Sequence, residues 1–197
     1  MPLNRMFLTA AMLGAAAMLA AAPATSAGTQ KWYEKAVKKV SAEVSPAEAK
    51  PGQTVTFSLT VELNEGYHTY PTKQIDKMAD GMINSFKFPP AGQLIFVGDV
   101  QDPKDPLTKA DPEIGITELR YYEGKVTFTR KAVVSPKAAP GPATVKLTAF
   151  KLSVCDKTNC FPPKDVPVEA AYAGSTAIAG PSSTLNAAEV EKALGGK

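Results

Sequence analysis

Cysteine is almost missing from this 197-residue chain: Cys155 and Cys160 are its only two, and His68 is its only histidine. A zinc site wants three or four ligands, so this supply excludes a conventional one. Two cysteines also cannot hold a disulfide-built scaffold, and the core must cohere by packing. Basic blocks are absent too. Lysines and acids are interspersed, the formal net charge is only +3, and no aromatics interleave with a basic run. Nucleic acid is therefore not an expected partner. There is no nucleophile motif and no internal repeat. Met78 and Met82 would share a face if residues 72–82 formed a helical turn, but such a pair ordinarily fills a core and does not bind copper. No metal and no cofactor is expected.

Long apolar runs are missing except at the start. Arg5 precedes an apolar stretch over 6–22, and small residues follow up to Ala27. This is the pattern of a signal peptide over 1–27, with cleavage after Ala27 and alternatives at Ala22 or Ala24. The run is short for a membrane span. Removing it takes away Arg5 and no acid, which lowers the net charge from +3 to +2. The expectation is an exported, periplasmic protein, soluble after cleavage and monomeric. About 170 residues then remain, enough for one domain with its own core.

What is plentiful is proline, 17 residues, beside 14 glycines. That composition disfavours long helices and suits turns and sheet edges. Residues 28–36 form a lead-in, and 31–40 read either as a short amphipathic helix with Trp32 and Ala36 on one stripe or as irregular chain. Residues 41–46 lead to the turn signal at Lys50-Pro51-Gly52-Gln53. Val55, Phe57, Leu59, Val61 and Leu63 then alternate with polar residues, which marks a strand with one buried face. Further strands are expected over 83–88, 94–100, 117–122, 125–134, 143–154 and 166–171. Glu123-Gly124 reads as a hairpin turn between two of them. Such a series indicates an all-β fold, an immunoglobulin-like β-sandwich over 37–172. Beyond it, 173–197 has a linker composition and a short helix candidate at 185–194 that either docks or frays.

The two cysteines enclose four residues, Asp156-Lys157-Thr158-Asn159, and Phe161-Pro162-Pro163 follow. A bond across so small a ring stabilises by only about 2 kcal/mol in the loop-entropy account. Two readings stay open. One is a permanent disulfide pinning a hairpin. The other is a redox pair, in which one cysteine exchanges with a partner and the other resolves the mixed disulfide. Phe161 could shield the sulfurs, and Pro162 and Pro163 would hold Cys160 rigidly. Asp156 would raise a nearby thiol's pKa and Lys157 would lower it.

Gly66-Tyr67-His68-Thr69-Tyr70, Glu118-Leu119-Arg120-Tyr121-Tyr122 and Cys155-x4-Cys160-Phe161-Pro162-Pro163, in that order, resemble the N-terminal periplasmic domain of the transmembrane thiol:disulfide interchange protein DsbD. The likeness spans roughly 37–171. It implies an immunoglobulin-like sandwich whose cysteines, Cys155 and Cys160, take electrons from a membrane domain and reduce thioredoxin-like periplasmic proteins. Cys160 matches the cysteine of the mixed disulfide. Tyr67 and Tyr70, with Phe161 and Pro162, match the groove around the pair. A cap loop that covers the disulfide matches residues 111–117, where Asp111, Ile114 and Ile116 stand and an aliphatic side chain replaces the usual aromatic shield. His68 and Asp111 are local proton partners by position and are assigned no catalytic role. Two departures are plain. Four residues separate the cysteines where the best-known members have five, and the expectation is a domain with neither an eight-helix electron-transfer domain nor a thioredoxin domain after it. The implied activity is protein-disulfide reduction without a cofactor, relying on a separate membrane thiol reductase or another thioredoxin-like donor. The alternative is a binding or structural module that keeps the fold and a permanent disulfide.

Overall fold

The computed structural model describes residues 28–173. The expected signal peptide, and everything expected beyond residue 173, lie outside the described residues. A helix, α1 (Gly28–Ala36), leads into β1 (Val37–Ser45), β2 (Thr54–Leu63), β3 (His68–Thr69), β4 (Ser85–Lys87), β5 (Leu94–Gln101), β6 (Leu107–Asp111) and β7 (Ile116–Glu123). β8 (Lys125–Val134), β9 (Ala143–Lys146), β10 (Ala149–Leu152), β11 (Val154–Cys155), β12 (Lys164–Asp165) and β13 (Glu169–Tyr172) complete the series. Single 3-10 turns occupy Lys77–Ala79 and Pro112–Ile114.

One layer is the antiparallel sheet β1-β2-β8-β5. The other is assembled from shorter pieces, β12-β10-β4, β13-β9 and β11-β3-β7-β6. Between them lies an apolar core. Val55, Phe57, Leu59, Val61 and Leu63 of β2 face Val145, Leu147, Phe150, Leu152, Val154, Val168 and Tyr172 from the second layer. The period-two pattern of β2 is thus the pattern of its burial. This is an all-β, immunoglobulin-like sandwich, as the strand series implies.

The structure adds the strands β3, β6 and β12 where none was expected, starts the last strand at Glu169 and not at Val166, and departs from the sequence expectations in four further ways. Residues 37–45 form β1, which pairs with β2 from Val37↔Leu63 to Ser45↔Thr56. β1 is an edge strand and carries Lys38, Lys39 and Glu43, charges that protect an edge and blur its apolar alternation. Helix α1 accordingly stops at Ala36, with Trp32 and Ala36 buried. Second, Glu123-Gly124 closes no hairpin. β7 and β8 lie in different sheets, and Gly124, at φ 66°, turns the chain from one layer to the other. Only glycine adopts that left-handed conformation at no steric cost. Third, the stretch 143–154 is three strands. Leu147 and Thr148 carry the pairing from Val168 across to Lys87, so one run serves two neighbours. Fourth, Met78 is exposed while Met82 is partly buried, so they share no core face.

Candidate functional site

One end of the sandwich gathers the places where the chain changes layer. Gly66, at φ 84°, lies in the turn from β2 to β3, and Gly124 lies beside it, its carbonyl accepting from the Leu63 N–H at 2.8 Å. Asn64 ties α1 to the same corner: its N–H and side-chain amide donate to the carbonyls of Ala36 and Lys35. β3 leaves this corner between β7 and β11, so His68 sits opposite both Glu123 and Cys155.

Cys155 and Cys160 are bonded, S–S 2.00 Å, and face each other across a tight hairpin. Its turn is built by Asp156. The Asp156 N–H donates to the Asn159 carbonyl at 2.8 Å. Its carboxylate oxygen Oδ1 accepts from the N–H groups of Thr158 and Asn159 and from the Thr158 hydroxyl. These donors hold the Asp156 carboxyl below its ordinary range. The Phe161 N–H then returns to the Val154 carbonyl. The hairpin therefore has hydrogen bonds of its own, independent of the sulfur bridge.

The two sulfur-bearing residues differ in environment. Cys155 is 3% exposed and packs with Tyr70, Ala79, Ile116 and Leu119. Cys160 is exposed. Against the pair lies Tyr70, whose hydroxyl donates to Cys155 Sγ at 2.7 Å and stands 3.6 Å from Cys160 Sγ. The same oxygen is 3.3 Å from His68 Nε2. Burial pushes the Tyr70 hydroxyl up to about 12. Burial, helped by the positive charge of Lys109 and opposed by Asp156, lowers His68 to about 4, so its imidazole is neutral at pH 7. The Tyr121 ring packs edge-on to His68, centroids 5.0 Å apart, and Lys109 lies over Tyr121.

Phe161 turns away from this cluster toward the main core. It stacks on Trp32 with ring planes 3° apart and lies 6.3 Å from the Tyr67 ring. Trp32, Tyr67 and Phe161 thus form an aromatic wall beside the hairpin, with Pro162 exposed at its edge. Of the residues singled out by resemblance, Tyr70 meets Cys155 directly, and Ile116 is buried in the same apolar cluster. Ile114 does not; it is 49% exposed at the tip of the β6–β7 hairpin. Asp111 is half-buried in that hairpin and makes no side-chain capping bond.

Three polar residues that hold the site carry no motif. Asn84 is 1% exposed and joins β3 to the approach to Cys155. Its amide donates to the Tyr70 carbonyl at 2.6 Å and to the Thr69 hydroxyl at 2.9 Å, and its Oδ1 accepts from the Ser153 N–H at 2.8 Å. Thr69 in turn donates to the Ser153 carbonyl. Gln74 and Asp76 extend the role of β3 beyond its two residues. Gln74 exchanges hydrogen bonds with the backbone N–H and C=O of Arg120. Asp76 accepts from the N–H and hydroxyl of Thr117, both at 2.8 Å, and from the Met78 N–H. These donors hold the Asp76 carboxyl at about 2. The only sequence signal for such residues is a polar side chain inside an otherwise apolar or turn-rich stretch.

An immunoglobulin-like sandwich that presents one end of a short-ring disulfide and buries the other against a tyrosine hydroxyl is a thiol–disulfide module. The family model described as thiol:disulfide interchange protein DsbD, N-terminal, matches residues 36–170, and the chain belongs to that family. No match was found among curated proteins.

Proposed function

We propose that this protein is an exported, periplasmic thiol:disulfide exchange module that relays electrons to partner proteins through a reversible Cys155–Cys160 disulfide. The observation that carries the proposal is the asymmetry of the pair. An incoming thiolate can reach exposed Cys160, while Cys155 is buried and held by Tyr70 as the sulfur that leaves. Attack at Cys160 forms a mixed disulfide and frees the Cys155 thiolate. In the reverse direction that thiolate attacks Cys160 and expels the partner's sulfur. The hairpin's own hydrogen bonds support this reading, because they keep the two cysteines adjacent when the sulfur bridge is open.

The β6–β7 hairpin acts as the cap, and its Ile116 shares the buried apolar cluster of Cys155. Tyr67, Phe161 and Pro162 form the wall a partner meets. The partners are thioredoxin-like proteins, with a separate membrane thiol reductase as donor, and the activity is that of a protein-disulfide reductase. The test is the reduction potential of the pair in defined dithiol/disulfide buffers with free thiols trapped. A value between roughly −180 and −270 mV places it among exchange-competent pairs. A value below about −300 mV marks a structural bond and makes the protein a binding module instead.

A further inference from the structure

We infer that Tyr70 and His68 form a hydrogen-bond chain that receives the negative charge on Cys155 Sγ when a thiolate attacks Cys160, Tyr70 as the catalytic donor and His68 as the residue that positions it. The inference rests on the exchange reading above and assigns chemistry to two side chains which that reading leaves as surroundings.

The need for such a chain follows from where Cys155 lies. Its neighbours Ala79, Ile116 and Leu119 are apolar, and burial among them disfavours a thiolate. A poor leaving thiolate slows exchange, because departure is faster as the leaving sulfur's pKa falls. Something must therefore meet the charge. The Tyr70 hydroxyl, 2.7 Å from Cys155 Sγ, is in place to do so.

Hydrogen-bond inventory sets the direction of the chain. A disulfide sulfur has no proton to give, so the 2.7 Å contact is a hydrogen bond only with the Tyr70 proton pointing at Cys155. We assign it there, as the shortest of the hydroxyl's contacts. The Tyr70 oxygen is left as an acceptor toward His68 Nε2 at 3.3 Å. His68 must then carry its proton on Nε2. Both groups are neutral at pH 7, since Tyr70 is raised and His68 lowered by burial. The groups facing them are Lys109 and Tyr121 from the β6–β7 hairpin and Asp156 from the cysteine hairpin. Lys109 favours a thiolate. Asp156 opposes it, with its carboxylate engaged by Thr158 and Asn159.

The exchange step balances without an added reagent. The attacking thiolate forms a bond to Cys160 Sγ and is oxidised to the disulfide level. The Cys155–Cys160 bond breaks and its electron pair leaves on Cys155 Sγ, which is reduced. The Tyr70 proton stays on oxygen, while its hydrogen bond changes from a weak contact with a disulfide to a charge-assisted one with a thiolate. The His68 N–H, donating to the same hydroxyl, strengthens that bond cooperatively. Stabilisation that grows as charge develops accelerates the step itself.

The test uses dithiothreitol as reductant, so that no protein partner is required. Oxidised protein and its Tyr70→Phe, His68→Phe and His68→Gln variants are reduced at pH 7. The Cys155 thiol pKa is then read from alkylation of each variant in a Cys160→Ser background. Tyr70→Phe is expected to slow reduction by about tenfold or more and to raise the Cys155 pKa by about one unit. His68→Phe should give smaller shifts in the same directions, and His68→Gln, which keeps an N–H donor, should recover part of them. Wild-type rates and an unshifted thiol pKa in a folded Tyr70→Phe variant overturn the inference. Should that variant not fold, equal Cys155 pKa values in wild type, His68→Phe and His68→Gln overturn it. If the wild-type bond resists every protein donor while its reduction by dithiothreitol still depends on Tyr70, the exchange reading fails and this one stands.

Discussion

β2 and β8 pair through nine successive residues, from Thr54↔Val133 to Glu62↔Lys125, whereas β3, which carries His68 beside Cys155, pairs with β11 through two. The first region is held by a long backbone ladder with a continuous apolar face. The second has too few ladder positions to hold itself, and buried polar side chains take over. Asn84 bonds to Ser153, Thr69 and Tyr70, Gln74 pairs with Arg120, and Asp76 grips Thr117. A ladder spreads its stability over many equivalent bonds. A side-chain clamp concentrates geometry in one residue, so a single substitution can alter the site and leave the sandwich standing.

The comparison breaks most visibly in the long-ladder region. Phe57 is 1% exposed and packs edge-on against Phe88 and Phe96. Phe57→Ala should cost about 3–5 kcal/mol in urea unfolding, with the reduction rate per folded molecule unchanged. A slower rate in the folded fraction would mean that the two regions are not separable.

Acid should act next, and at the site end. The folded His68 value lies near 4, below its ordinary 6.5, so the native state binds fewer protons than the unfolded chain between these limits. His68 therefore contributes stability that is present above pH 6.5 and lost as pH falls through about 4. It amounts to at most about 3 kcal/mol. Half-buried Asp102 is raised by burial and acts with the opposite sign just above its usual range. Unfolding midpoints at pH 7 and pH 4.5, compared between wild type and His68→Gln, isolate the histidine. The variant should show the smaller loss, and parallel losses would refute the assignment.

Removing a clamp should do less to stability and more to geometry. Asn84→Ala leaves the Ser153 N–H without its acceptor and should cost about 2 kcal/mol. It should also change the dithiothreitol reduction rate, which Phe57→Ala should not. The mildest effect is expected for Asp76→Ala, since Asp76 bonds Thr117 beside the tip of the β6–β7 hairpin. Amide exchange at Thr117 and Met78 should quicken while the unfolding midpoint holds, and unchanged exchange would show that Asp76 does not anchor the hairpin.

The amino-acid sequence by itself determined the layers and the chemistry on offer. Alternation over Val55 to Leu63 is a local property of a half-buried strand, and it sufficed to place β2. Likewise 125–134 coincide with β8. The cysteine spacing, the flanking aromatics and the family likeness are equally local. Tertiary structure alone decided what lies beside what. It buried Cys155 and left Cys160 outside, turned Phe161 onto Trp32, sent Ile116 into the cluster around Cys155 and Ile114 to solvent, and parted β7 from β8 at Gly124. It also aimed Tyr70 at a sulfur 85 residues away and seated Asn84 on the Ser153 N–H, 69 residues away. A residue's period along the chain records which face it turns. The partner it meets there is set by distant segments whose packing no local pattern encodes.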